Sequence, residues 1–392
     1  MIFYFNNRQL RNKFTLLFFI LFFTFIYSCN QCSNNNNKQT NVKEANNNKI
    51  KNLKKKHKLF EKYFLTFYKN KTFNGTALVS QKGQIIFENF YGYKNFKKKD
   101  TLNINTRFQL GSVSKQFTSV AILQLVEQKK LNLNDTIQKF FPKFPYHNIT
   151  IDLLLRHRSG LPNYIYFCDA IDSLKTKPIN NFQVIDSLIS RKPQWYYPPD
   201  KRFNYSNTGY IILAAIIEKV SKQEFKDYLR KNIFEPLNMT NTFIFDFDKK
   251  DNYKNIATGY LYGHKKAEFD FLDGVVGDKG IYSTVEDLFK WEQGLYSNKI
   301  INRKTLKLAF TANGKSKRAK NMYGYGWRYY KTISGDTIYY HAGWWKGFQS
   351  LLIHIEKDTS SIIILKNKKN KLVFNHNDFF KILYPNNKTM RR

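Results

Sequence analysis

Ser112 is the only serine in the chain followed three positions later by a lysine, within Phe108-Gln109-Leu110-Gly111-Ser112-Val113-Ser114-Lys115-Gln116-Phe117. A serine hydroxyl is a poor nucleophile until a neighbouring group takes its proton. On a helix, residues three apart share a face. An apolar-periodic helix starting at Ser112 would therefore set the Lys115 amine beside the Ser112 hydroxyl. The positive end of such a helix also suits an anionic intermediate. The same spacing arises from a plain N-cap serine with a solvated lysine, so other residues must decide.

A second candidate is Tyr205-Ser206-Asn207, directly before the apolar run from Tyr210 to Val220. Alternate residues of a loop point to one side, so Tyr205 and Asn207 can face one cleft. Tyr205 beside Lys115 can relay protons as general acid or base. The Asn207 amide both donates and accepts, which suits holding a substrate amide and orienting Lys115. The plain alternative is that Asn207 caps the helix and Tyr205 packs on it. A third candidate is His341-Ala342-Gly343-Trp344, at the end of an expected strand. A small residue and a glycine there let a substrate backbone lie against the strand edge. The backbone N–H of Trp344 can join that of Ser112 as an oxyanion hole. His341 can bind a substrate carboxylate or carbonyl. No Cys, His and acidic cluster has metal-ligand spacing, so neither metal nor organic cofactor is expected.

Stepping outward, these candidates need a scaffold that joins distant segments. Leu59, Phe60, Tyr63, Phe64 and Phe67 recur at helical spacing. Gly75 to Val79 and Gln84 to Tyr91 read as a hairpin turning at Lys82-Gly83. Ser112 to Glu127 reads as a mostly buried helix. Tyr210 to Val220, Phe225 to Ile233 and Val285 to Trp291 are helical in a long middle region. Thr337 to His341, Phe348 to Ile355 and Ser361 to Leu365 return to strands. Strands at both ends around a helical middle predict an α+β fold. It has one central antiparallel sheet flanked by helices, plus an all-helical subdomain.

Taken in order, Ser112-x-x-Lys115, Tyr205-x-Asn207 and His341-x-Gly343 resemble the serine β-lactamase and D-Ala-D-Ala carboxypeptidase superfamily. The branch it is most similar to holds class C β-lactamases, carboxypeptidases with a histidine in the third motif, D-aminopeptidases and related esterases. Leu153 to Pro162, Gly277 to Leu288 and Tyr323-Gly324-Tyr325-Gly326-Trp327 fit the same branch. The resemblance implies that Ser112 attacks a carbonyl to form an acyl-enzyme, with Lys115 accepting or relaying its proton. It implies that Tyr205 activates the serine or the deacylating water and protonates the leaving group. Asn207 would position the substrate amide, and the Ser112 and Trp344 amides would form the oxyanion hole. The stretches around His157 and Gly280-Ile281-Tyr282-Ser283 would border the site without acting in catalysis. Dedicated class C β-lactamases carry a lysine where this chain has His341. A histidine is neutral for much of the time near neutral pH, which favours a peptidase, esterase or amidase over a strong β-lactamase.

The 392 residues, 42% hydrophobic and 17% aromatic, suffice for a large core. The formal charge of +36 raises the question of nucleic acid. The lysines are dispersed, and there is no zinc-finger, RNA-binding or basic-zipper signature, so no nucleic-acid partner is expected. The expected partners are a small-molecule or peptide substrate, with peptidoglycan stem peptides among the candidates, and a membrane reached through a lipid anchor. Arg8, Arg11 and Lys13 precede the apolar run Phe14 to Tyr27, then Ser28-Cys29. That reads as a lipoprotein-type signal over 1–28 with Cys29 lipidated, which makes the protein an exported, membrane-anchored one. A disordered Asn- and Lys-rich tether follows over 29–56, then a hydrolase domain over 57–384 and a disordered tail over 385–392. Cys32 and Cys168 give no basis for a disulfide.

Overall fold

The computed structural model describes residues 47, 49–311 and 322–390. The chain divides into two units, 1–58 and Leu59–Arg392. The signal region with Cys29 and Cys32 lies outside the described residues. In the first unit the described residues are helical, which corrects the expectation of a disordered tether as far as Lys56. Lysine is a good helix former, and Ile50, Leu53 and His57 continue the helical spacing of the next segment. No helix among the described residues is long and apolar enough to cross a membrane.

The second unit is built on a seven-stranded sheet made from both ends of the chain. Strands β1 (Gly75–Gln81) and β2 (Gln84–Tyr91) form the expected hairpin. Lys82 and Gly83 at its turn both have positive φ, the conformation that tight two-residue hairpins require. The other strands are β3 (Met322–Tyr323), β4 (Arg328–Lys331), β5 (Thr337–Trp345), β6 (Phe348–Ile355) and β7 (Ser360–Lys366). The spatial order is β2-β1-β7-β6-β5-β4-β3, antiparallel throughout. β1 closes on β7, with Gly75 opposite Lys366 and Ser80 opposite Ser361. A Cβ on Gly75 would lie 2.1 Å from the Leu365 carbonyl oxygen, so this closure needs glycine there.

Helix α1 (Ser114–Glu127) is buried from Ser114 through Leu125. A helix without a polar face belongs inside the protein, and each aliphatic side chain so buried stabilises by about 1.5–3 kcal/mol. Further long helices are α2 (Asn181–Arg191), α3 (Asn207–Ser221), on which α2 packs, and α4 (Val285–Leu295). α3 packs on α1, and α4 packs on β1 and β7. Trp291 of α4 stacks on Phe117 of α1 at 4.0 Å between ring centroids. Phe60 and Phe64, in the helical residues 59–69, join Phe87, Phe374 and Phe379 in a separate aromatic cluster. Leu59 does not share that burial; it is exposed.

The carboxy-terminal residues 385–390, expected to be disordered, are turns that pack on the domain. Met390 is fully buried. The Thr389 carbonyl accepts a hydrogen bond from the Ser334 amide at 3.1 Å. One apolar side chain near the end outweighs the polar residues around it.

Candidate active site

The first motif sits where α1 meets the sheet. The α-helix begins at Ser114 rather than at Ser112; Gly111–Val113 form a 3-10 turn before it. Gly111 has φ of +53°, and a Cβ there would lie 2.6 Å from the Trp344 nitrogen. The chain therefore turns left-handed to pass the end of β5, and glycine alone does so without strain. Ser112 and Lys115 still meet, because a 3-10 turn also brings i and i+3 together. Lys115 Nζ is 3.0 Å from Ser112 Oγ, 2.8 Å from Asn207 Oδ1 and 3.0 Å from the Asp278 carbonyl oxygen. Lys115 is fully buried and Ser112 partly exposed. That geometry serves two protonation states. A neutral amine has two N–H groups and one lone pair. With its hydrogens held by Asn207 and Asp278, the lone pair faces the Ser112 hydroxyl.

The second motif arrives on the loop entering α3. Ser206 is the N-cap, yet its side chain makes no capping bond. Asn207 is the first helical residue, so its amide serves Lys115 instead of capping. The Tyr205 ring lies beside the same ammonium, 5.0 Å from Nζ to ring centroid. The expected alternation holds: Tyr205 and Asn207 face the cleft while Ser206 is buried.

The third motif lies on β5. This strand pairs with β4 only over Thr337–Tyr340, but with β6 as far as Trp345. Among the described residues, His341 to Trp345 have no strand partner on the β4 side. That edge lines a cavity of about 1100 Å³ with Ser112, Tyr205 and Asn207. A Cβ on Gly343 would lie 2.0 Å from the Leu110 carbonyl oxygen and 2.9 Å from the Ser112 nitrogen. Glycine there lets the Ser112 and Trp344 backbones come together, as two oxyanion donors must. The Ser350 hydroxyl also donates to the Leu110 carbonyl at 2.6 Å, tying β6 to the turn.

His341 departs from its expected role. The ring is buried, and both nitrogens have protein partners: the Ala342 carbonyl at 2.8 Å and the Tyr323 hydroxyl at 3.1 Å. Burial, then the nearby Lys115 and Arg328 cations, push its pKa down to about 3. A neutral, fully engaged imidazole is poorly suited to hold a carboxylate.

Two features escaped the sequence reading. Arg328 of β4 lines the cavity, its guanidinium 5.6 Å from the Tyr205 and Tyr323 ring centroids. No carboxylate of the described residues lies within ion-pair distance of it. It follows directly on the Tyr323–Trp327 motif, which was its only signal. Lys279, also on the cavity wall, is buried with three acceptors: the Tyr164 hydroxyl and the Leu272 and Val275 carbonyls. Its neighbour Asp278 accepts from the Tyr164 hydroxyl at 3.0 Å. Cys168 is a buried free thiol.

Residues 60–384 match the Beta-lactamase family. The chain belongs to that family. It is 32% identical over 337 residues to a penicillin-binding protein of Bacillus subtilis, covering 82% of this chain and 73% of that one. Among solved structures it is similar to a penicillin-binding protein from Bacillus halodurans, with TM-score 0.70 and 25% identity over 82% of this chain and 98% of that one. It is also similar to the octameric penicillin-binding protein homologue from Pyrococcus abyssi, with TM-score 0.69 and 26% identity over 80% of this chain and 73% of that one. This β-lactamase-family chain is a serine hydrolase. The chemistry its cleft supports is acyl transfer. In such a step Ser112 Oγ would bond to the substrate carbonyl carbon, its proton would pass toward Lys115, and the leaving group would depart with a proton. Water would then cleave the ester and restore the hydroxyl.

Proposed function

We propose that this hydrolase is a D-amino-acid peptidase of the carboxypeptidase type, acting in the cell envelope on peptides that end in a free carboxylate. Arg328 carries the reading. A guanidinium is always charged and suits a carboxylate's two oxygens. This one borders the cleft beside the open edge of β5, and among the described residues it has no acidic partner. It can supply the cation that neutral His341 lacks. A peptide laid along His341–Trp345 would gain strand hydrogen bonds while its terminal carboxylate meets Arg328. The basic start, the apolar run and Ser28-Cys29 support export and a lipid anchor. Peptidoglycan stem peptides fit such a compartment and such an end group.

The test is intact-mass detection of acylation by a penicillin and by a fluorophosphonate, with Ser112→Ala as control. Cleavage of a D-Ala-D-Ala peptide, and of its carboxy-terminal amide, is then measured with Arg328→Gln alongside. A lasting penicillin adduct on Ser112 is expected. The peptide acid should lose about tenfold in kcat/KM in Arg328→Gln, with the amide unaffected. Fluorophosphonate labelling alone, with no peptide cleavage, would turn the reading to an esterase or amidase. Rapid turnover of the penicillin would favour a class C-like β-lactamase. A folded domain that neither reagent labels would favour a silent peptidoglycan- or partner-binding protein.

A further inference from the structure

Behind the cleft, three buried side chains link the second motif to the third. His157 Nε2 is 3.1 Å from the Tyr323 hydroxyl, and that hydroxyl is 3.1 Å from His341 Nε2. The ends of the chain are backbone groups, Ser206 at one side and the Ala342 carbonyl at the other. The proton order follows from counting hydrogens. A carbonyl only accepts, so His341 Nδ1 carries its hydrogen and donates to Ala342. In the neutral ring Nε2 is then the acceptor, and Tyr323 donates to it. Tyr323 has one hydrogen, so it must accept from His157 Nε2–H. His157 Nδ1 is left as an acceptor, and the Ser206 N–H donates to it at 3.3 Å. The Ser206 carbonyl is also 3.1 Å from that nitrogen, but a hydrogen placed on Nδ1 to meet it would leave the Nε2 lone pair facing the Tyr323 oxygen.

We propose that His157 and Tyr323 are positioning residues. They form a one-directional hydrogen-bond chain that registers the Tyr205–Asn207 loop against the Gly343–Trp344 strand. This rests on the Ser112 acyl-enzyme chemistry and not on which substrate is cleaved. The two motifs come from segments more than a hundred residues apart in sequence, yet a misplacement of about 1 Å at the reacting atoms costs about a hundredfold in rate. The chain also bears on the Tyr205 ring directly, because His157 packs against it at 4.1 Å between centroids. A single proton added to either imidazole would break the order. The groups facing the chain oppose that addition. They are Lys115 from α1, Arg328 from β4, and the phenols of Tyr205, Tyr210 and Tyr323. Burial first, then Lys115, His341 and Arg328, hold His157 well below its ordinary value. His341 is lowered by burial, Lys115 and Arg328.

The test is the rate of Ser112 labelling by a fluorophosphonate from about pH 5 to 9, a range a free imidazole would titrate across. Thermal stability is measured on the same samples. Wild type should show no acid limb from these histidines. Tyr323→Phe keeps the ring and deletes the link. Labelling should slow about tenfold or more at neutral pH, and a new acid-side loss should appear, because His341 Nε2 without its donor binds a proton more readily. A purely structural role would lower stability without moving the pH profile. At position 341, Gln can still accept from Tyr323, whereas Asn is too short to reach it. His341→Gln should therefore label faster than His341→Asn, a comparison that stays informative should Tyr323→Phe weaken the fold. An unchanged rate and profile in Tyr323→Phe, or equal rates for Gln and Asn, would overturn the proposal and leave the acyl-enzyme chemistry standing. A wild-type protein that does not label would remove that chemistry, and the proposal with it.

Discussion

Lys115 and Lys279 are both buried, Lys279 on the wall of the cleft and Lys115 behind the Ser112 that lines it, and each ammonium has three acceptors. For Lys115 these are a side-chain hydroxyl, a side-chain amide and one carbonyl. For Lys279 they are a tyrosine hydroxyl and two carbonyls. Asp278 stands between them. Its carbonyl accepts from Lys115, while its carboxylate lies 3.9 Å from Lys279. Among the described residues Lys115 thus has no carboxylate partner, and it points at a hydroxyl that can exchange a proton with it. Lys279 lies beside a buried carboxylate, and its three acceptors are a phenol and two carbonyls rather than the Ser112 hydroxyl. The contrast shows that burial beside a cleft does not by itself single out a lysine for catalysis; the chemical nature of its third partner separates the two.

The largest effect should follow from Lys115→Met, which keeps the bulk and removes the amine. Fluorophosphonate labelling should fall by about a thousandfold while the domain melts near the wild-type temperature. If labelling stayed within tenfold, the two lysines would not differ in the way described. Lys279→Met should do the reverse. It strands the Asp278 carboxylate, whose Oδ1 already lacks a hydrogen bond. Breaking a buried pair costs about 3–5 kcal/mol, readable by denaturant unfolding. The folded fraction should still label at a rate within about tenfold of wild type.

A smaller effect separates the lysine region from the histidine chain. His341 binds a proton near pH 6.5 when unfolded but only near pH 3 when folded. Between those values the unfolded chain holds a proton that the folded protein does not. Stability from this group is therefore complete above about pH 6.5 and declines as the pH falls toward 3. Melting temperature should drop on acidification across this window, and drop less steeply in His341→Gln. Parallel curves would mean that His341 is not held neutral by its surroundings.

Much of this was legible from local pattern. The β1–β2 hairpin, α1, α3, α4 and the late strands all carry apolar spacing that only one kind of element satisfies. Ser112, Lys115, Tyr205 and Asn207 meet as their motifs suggested. What local pattern missed was small or distant. β3 and β4 are too short to show a period. The helix start moved by two residues because Gly111 must pass β5. Met390 found burial that a polar tail conceals.

The sequence by itself determined the residue types that can do acyl transfer, their order along the chain, and the family they belong to. It did so because side-chain chemistry and short-range periodicity are local properties. Only the tertiary structure decided what His341 and Arg328 are free to do. Whether a ring nitrogen or a guanidinium is available depends on partners such as Tyr323 and Ala342, and on the strand edge left open from His341 to Trp345. Those partners are brought together by sheet pairing between distant segments, and no spacing within one segment reports it.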